Sequence, residues 1–294
     1  MIMKASPAKV NLYLRVLRRR EDGYHDILSL MQRISLCDDL TFTPRAGGIV
    51  IRCPDSPLPE DERNIVYRAA ASFFSRIVAP PGVEITIRKK IPIAAGLGGG
   101  SSNAATTLMT LNEISGCPLT REELLGMGVE LGADVPFFIF GNTAWASGIG
   151  DRFIAAAPLP PLWFVLINPG FSVSTKWAYR ELNLELTNKR INYSIPRFNT
   201  VGHLTRGLTN DLEKVTMKSH PVLERIKTLL LESGAGGALM SGSGPTVFGV
   251  FGDEESSFRA EKCLRQENQG NRWSVFRAHS LGKIGTDTYF PVVK

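Results

Sequence analysis

The chain has 294 residues, of which 43% are hydrophobic, and a formal net charge of +6. That length and apolar content exclude global disorder and suit about two domains. The modest positive excess favours anionic small-molecule ligands; Arg18-Arg19-Arg20 is too short a basic run to make a nucleic-acid binder. No apolar stretch reaches the length of a membrane-spanning helix. Neither nucleic acid nor membrane is therefore an expected partner, and the chain is expected to be a monomer or a weak homodimer. Cys37, Cys53, Cys117 and Cys263 are scattered, as are His25, His203, His220 and His279. Neither set has metal-ligand spacing, so no metal ligand is assigned, and the cysteines need not pair. The first residues lack the apolar core of a signal peptide. A reducing, cytoplasmic setting is the expectation.

Residues 10–17 read as a strand, followed by strands at 36–43 and 49–52, separated by Pro44 and Gly47-Gly48. Asn64 caps a predicted helix over 65–78, where Ile65, Ala69, Phe73 and Ile77 recur at helical spacing. Residues 83–88 alternate like a half-buried strand. Next comes Pro92-Ile93-Ala94-Ala95-Gly96-Leu97-Gly98-Gly99-Gly100-Ser101-Ser102, with four glycines in five positions. A helix then runs to Ser115 and stops at Gly116, with Pro118 beyond. Thr120-Arg121-Glu122-Glu123 is a capping box opening another helix. Pro136 disfavours helix at Val135, so that helix is expected to end near Ala133.

Pro158, Pro160 and Pro161 mark a domain boundary, giving domains over 1–160 and 161–294. Residues 163–168 read as a buried strand, and 180–200 as irregular. An amphipathic helix over 221–232 carries Leu223, Ile226, Leu229 and Leu230. A second glycine loop, 234–245, leads to a strand at 246–251, a helix at 254–265 and a strand at 273–279. That last strand belongs either to the second domain or back in the first. The plan is α+β, with no internal repeat.

The first glycine loop is built like a phosphate cradle. Glycines let the backbone approach a ligand closely, and a helix N-terminus offers free N–H groups and partial positive charge. Ser101 or Ser102 is the natural N-cap. No Gly-Lys-Ser/Thr closes the loop, so it is not a Walker A sequence. Lys9 and Asn11, two apart at the head of a strand, share a face. Asp134 stands at an element terminus before Val135-Pro136-Phe137-Phe138 and is expected to be partly buried.

Three motifs in order, Pro7-Ala8-Lys9-Val10-Asn11-Leu12, Gly96-Leu97-Gly98-Gly99-Gly100-Ser101-Ser102-Asn103-Ala104-Ala105 and Met240-Ser241-Gly242-Ser243-Gly244-Pro245-Thr246, resemble those of the GHMP small-molecule kinases over about residues 5–283. Asp22-Gly23-Tyr24-His25-Asp26 and Gly132-Ala133-Asp134-Val135-Pro136 resemble one branch, which uses ATP to phosphorylate the 2-hydroxyl of a cytidine-diphosphate-linked methylerythritol in non-mevalonate isoprenoid synthesis. The resemblance implies a two-domain fold: a ribosomal-protein-like N-terminal ATP-binding domain with a left-handed β-α-β unit, and an α/β C-terminal substrate domain. It also implies a small-molecule substrate carrying a cytidine diphosphate group, with ATP and Mg²⁺ as cofactors.

Carried over residue by residue, the resemblance makes Lys9 and Asp134 catalytic. Lys9 holds the acceptor and Asp134 accepts its proton late, since a carboxylate beside an ammonium is a weak base. Pro92, Ala94, Gly96, Leu97, Gly98, Gly99, Gly100, Ser101 and Ser102 take the nucleotide phosphates, with either serine reaching Mg²⁺, and Asn64 lies near the adenine. Asn11, Tyr24, His25, Thr175 and Tyr179 contact the acceptor. Tyr179 stacks on cytosine unless Trp177 takes that place. The weighed alternatives are a GHMP kinase for homoserine, mevalonate or a sugar, and a non-catalytic RNA-binding protein.

Overall fold

The computed structural model of the protein describes residues 1–78, 82–141, 143–182, 194–268 and 272–282. Most of the stretch 180–200, read as irregular, lies outside them. Two long antiparallel strands, β1 (Ile2–Arg19) and β2 (His25–Arg45), organise the first half. Both run well past the predicted 10–17 and 36–43. Their register shifts between Pro7 and Ala8, Asn11 and Tyr13, and Val16 and Arg18. Each bulge bends the strand and restarts the in–out alternation, which shortens the strand that a period-two reading finds. Ser29, Gln32 and Arg33 are also buried within β2, hiding it from a hydrophobic pattern. Gln32 is satisfied there: its Oε1 accepts from Thr143 Oγ1 at 2.7 Å and its Nε2 donates to the Leu281 carbonyl at 2.9 Å.

Strand β3 (Ile49–Arg52), helix α1 (Ile65–Phe74) and strand β4 (Gly82–Arg88) make a β-α-β unit with parallel strands, docked on β2 through β4. Asn64 caps α1, its Oδ1 accepting the Val66 N–H at 2.9 Å, a bond worth about 1 kcal/mol. α1 stops at Phe74, short of the predicted 78. Helix α2 (Gly99–Ile114) is buried from Ser102 through Asn112. It is the central helix, covered by the sheet on one side and by α1, α3 (Arg121–Leu131) and α4 (Val135–Phe140) on others. The capping box Thr120–Glu123 opens α3. Val135 is helical after all, as the first residue of α4, with Pro136 in its first turn, where the missing N–H has no intrahelical partner to lose. Strands β5 (Ala144–Ser147) and β6 (Arg152–Ala155) extend the sheet from β2. Phe42, Phe73, Ile85, Leu108 and Phe137 fill the core between these layers.

The second half contains β7 (Trp163–Asn168), α5 (Thr175–Glu181), α6 (Val201–Gly207), β8 (Thr209–Asn210), α7 (Asp211–Ser219), α8 (Val222–Glu232), β9 (Gly237–Met240), β10 (Val247–Phe251), α9 (Glu254–Glu267) and β11 (Ser274–His279). Its antiparallel sheet has the order β11-β7-β10-β9. Leu223, Ile226 and Leu230 form the buried face of α8, as their spacing predicts. The last strand sits in this sheet, and the residues after it reach the first: Ser280 bridges Ile34, and the Leu281 N–H donates to the Arg33 carbonyl at 2.9 Å. β8 crosses the junction too, pairing in parallel with Tyr13 and Leu14 of β1. Buried Asn210 then donates to the carbonyls of Met240 and Gly242, at 2.7 Å each, which ties the second glycine loop to β1.

Candidate active site

The first glycine loop meets the start of α2 differently from the sequence expectation. The N-cap is Gly98, in the left-handed region at φ 68° with no side-chain cap bond, rather than Ser101 or Ser102. Glycine takes that conformation without strain, so the helix begins before the serine pair. With no capping side chain, the first N–H groups of α2 remain available to a ligand. The loop is held from both halves of the chain. The Lys9 N–H donates to the Leu97 carbonyl at 2.9 Å, and Ser241 Oγ donates to the Gly96 carbonyl, also at 2.9 Å. The approach is close: a Cβ on Gly96 would lie 2.1 Å from the Ser241 carbonyl oxygen.

A cavity of 1280 Å³ opens along this loop. A single small-molecule pocket is typically about 300–1,000 Å³, so there is room for two substrates. Pro92, Ala94, Gly96 and Gly98 through Ser101 line it. Leu97 and Ser102 do not: Leu97 is packed in the core, and Ser102 is fully buried, accepting from Ser6 Oγ at 2.8 Å. Asn64 is also absent from the lining. Its Oδ1 caps α1 and its Nδ2 donates to the Pro59 carbonyl at 2.7 Å, so its amide is already used; the neighbours Leu58 and Ile65 face the cavity instead.

Lys9 and Asp134 meet in the lining of the cavity. Lys9 is buried, and its Nζ lies 3.3 Å from Asp134 Oδ2. It also donates to Asn11 Oδ1 at 2.7 Å, while Asn11 Nδ2 donates to Ser29 Oγ at 2.8 Å. This chain fixes the ammonium on the strand face that Lys9 and Asn11 share. Asp134 occupies the N-cap position of α4 without making a cap bond, and its side chain is 40% exposed. The carboxylate is thus committed to Lys9 and the cavity rather than to the helix end.

Tyr24, His25 and Tyr179 also line the cavity. Tyr24 follows the turn at Gly23 (φ 84°) and is 60% exposed. His25 and Tyr179 face each other with ring centroids 5.1 Å apart. Burial, and then the Arg19 charge, hold the His25 pKa below its ordinary 6.5. Burial, aided by the Asp134 carboxylate, raises the Tyr179 phenol. Trp177 is absent from the lining: it packs edge-on against His220, at 6.3 Å, within the second core. Positions two apart on a helix face different ways, so only one of the pair reaches the cavity. Thr175 lines it beside Ser243, their hydroxyl oxygens 2.9 Å apart.

Sequence reasoning missed Lys89 and Asp38. Asp38 is fully buried; its Oδ1 accepts the N–H groups of Lys90 and Ile91 at 2.8 and 2.9 Å, and its other oxygen pairs with Lys89. Lys89 Nζ stands 3.2 Å from where a Cβ on Gly99 would be, at the start of α2. A cation beside the positive end of a helix suits an anion bound between them. The signal in the sequence is slight: a basic pair just before the glycine run.

Among the described residues, no group of three or more His, Cys, Asp or Glu could hold a metal ion by itself, and no helix is long and apolar enough to cross a membrane.

The family model "GHMP kinases N terminal domain" matches residues 64–142, and "GHMP kinases C terminal" matches 194–269. The chain belongs to the GHMP kinases. A protein of Syntrophus aciditrophicus (strain SB) named 4-diphosphocytidyl-2-C-methyl-D-erythritol kinase is 56% identical over 96% of this chain and 100% of its own. One of the same name from Syntrophotalea carbinolica is 49% identical over 92% and 96%. The crystal structure of a 4-(cytidine 5'-diphospho)-2C-methyl-D-erythritol kinase superposes with a TM-score of 0.79 at 34% identity, covering 96% of this chain and 100% of that one. Within the GHMP kinases, the chain falls in the family of these 4-diphosphocytidyl-2-C-methyl-D-erythritol kinases.

Proposed function

We propose that the protein transfers the γ-phosphoryl group of ATP to the 2-hydroxyl of 4-diphosphocytidyl-2-C-methyl-D-erythritol, giving the 2-phosphate and ADP. The observation that carries this reading is the Lys9–Asp134 pair, set in one cavity between a bare helix N-terminus and an aromatic end containing His25 and Tyr179.

Phosphoryl transfer passes through a loose transition state, so the protein contributes mainly position and charge. The Gly98–Ser101 segment and the N–H groups of α2 receive the phosphates, with Lys89 beside them. Lys9 orients the acceptor hydroxyl and balances the charge that develops on the transferring oxygens. Asp134, at 3.3 Å from Lys9, takes the hydroxyl proton as the new bond forms. Asn11 and Thr175 hold the methylerythritol hydroxyls. Tyr179 stacks on the cytosine, and a neutral His25 hydrogen-bonds its polar edge. The loop from Ser241 to Thr246, clamped to Gly96, covers the transfer site.

A Mg²⁺ ion brought with the nucleotide would supply neutralisation of phosphate charge. The donor set fits such a shared ion, and Ser101 is the serine that would hold it, since Ser102 is bonded to Ser6. All four cysteines are free, which agrees with work in a reducing compartment such as the cytoplasm.

A turnover of Mg-ATP with the cytidyl acceptor, its product examined by ³¹P NMR, tests the reading. A new phosphomonoester at the tertiary 2-carbon supports it. ATP consumption with no such ester contradicts it.

A further inference from the structure

The cavity is lined by the cations Lys9, Arg19, Lys89, Lys176 and Arg180. Lys9 pairs with Asp134, Lys89 with Asp38, and Arg180 with Glu181 at 3.6 Å. Arg18 and Arg20, flanking Arg19, are both engaged with Asp26. Among the described residues, Arg19 and Lys176 alone of the lining cations have no carboxylate partner.

Their positions differ. Arg19 lies opposite His25 in the β1–β2 pairing. Lys176 lines the cavity from α5, in the turn between Thr175 and Tyr179. Its neighbour Thr175 is 2.9 Å from Ser243 of the second glycine loop, and a Cβ on the adjoining Gly242 would be 3.5 Å from Lys9 Nζ. Tyr179, one turn further along α5, touches His25. Residues three apart on a helix share a face, so Lys176 and Tyr179, both lining the cavity, stand on the same side of α5. The helix is anchored: Ser174 Oγ accepts the Trp177 N–H at 3.3 Å, and Trp177 packs on His220.

We propose that Lys176 binds the diphosphate of the acceptor and so makes the site selective for a nucleoside diphosphate over a bare nucleoside. The inference rests on the cytidine reading above. In that acceptor the diphosphate separates cytidine from the reacting hydroxyl, so it spans the interval between Tyr179 and Lys9. Asp22 and Asp134 also line the cavity and repel it. Asp22 is offset by Arg20 and Asp134 by Lys9, which leaves Lys176 as the free ammonium available to make charge-assisted hydrogen bonds there.

The test is calorimetric binding of CDP and of cytidine, with a non-hydrolysable ATP analogue saturating the donor end. Lys176 is exposed, so Lys176→Gln folds normally. Its CDP affinity is expected to fall about 10-fold, the scale of one hydrogen bond to a charged group, with cytidine affinity unchanged. Lys176→Arg keeps most of the CDP affinity. In turnover, Lys176→Gln raises KM for the acceptor and leaves KM for ATP alone. Equal losses for CDP and cytidine, or no loss for either, overturn the role of Lys176 and leave the cytidine reading intact. A wild-type protein that binds neither ligand overturns both.

Discussion

Lys9 and Asp134 come within 3.3 Å of each other from separate elements of the first half of the chain, one from the middle of β1 and one from the end of a helix it does not cap. Substituting Asp134→Asn keeps the shape and removes the proton acceptor. It should lower kcat by ~10²-fold or more. Affinity for a non-hydrolysable ATP analogue should change little, because the carboxylate's ion pair is with Lys9 rather than with α2 or the glycine loop. Full activity in this variant contradicts the assigned role.

The glycines separate into two kinds. A Cβ on Gly100 meets nothing nearer than Ile65 Cγ2 at 3.8 Å, whereas one on Gly96 would strike the Ser241 carbonyl at 2.1 Å, at a φ of 77°. Gly100→Val should therefore melt close to the wild type yet lose nucleotide binding, since the space it fills is the ligand's. Gly96→Ala should lower Tm, because the two glycine loops must separate. Unchanged nucleotide affinity in a folded Gly100→Val protein places the cradle elsewhere.

Much of this was legible in the sequence, and the gaps have physical causes. The glycine run before a helix, the capping box at Thr120 and the Lys9–Asn11 face are local patterns, and each has a local cause. The N-cap at Gly98 was hidden because a left-handed glycine can start a helix without any capping side chain. β1 and β2 were shortened by bulges that restart alternation. Asn64 presents the same side chain whether it caps a helix or contacts a ligand, and the Pro59 carbonyl and Cys53 Sγ show its amide to be used. Ser102 is bonded to Ser6, distant in sequence, and it is Ser101 that lines the cavity. Asp38 reads as one of two adjacent acids on a strand, and its burial beneath Lys89 is a tertiary fact.

At the base end, Tyr179→Phe should keep acceptor affinity. Tyr179→Ala should lose ~1–3 kcal/mol, the scale of one base–aromatic stack. Trp177→Ala should lower stability, because its ring packs with His220 in the second core, and leave acceptor affinity unchanged. If Trp177→Ala weakens acceptor binding and Tyr179→Ala does not, the stacking assignment fails.

Burial and the Arg19 charge lower the His25 pKa from 6.5, so folding favours its neutral form. As pH falls below 6.5, the unfolded chain takes up this proton before the folded one does. The contribution of His25 to stability is thus present above 6.5 and shrinks as pH drops toward its folded value. Cytidine affinity should weaken over the same acid range, and His25→Gln should remove that pH dependence. An NMR titration of His25 with its midpoint above 6.5 contradicts the assignment.

The central claim is that this cavity recognises cytidine at one end in order to phosphorylate a hydroxyl at the other. A site that stacks a base should reject acceptors without one, because its polar partners are then left unpaired and binding energy for positioning is lost. The most direct measurement is kcat/KM from coupled ADP release with Mg-ATP and four acceptors: 4-diphosphocytidyl-2-C-methyl-D-erythritol, homoserine, mevalonate and galactose. A preference of at least ~10³-fold for the cytidyl acceptor is predicted. Comparable activity on any of the other three would contradict it.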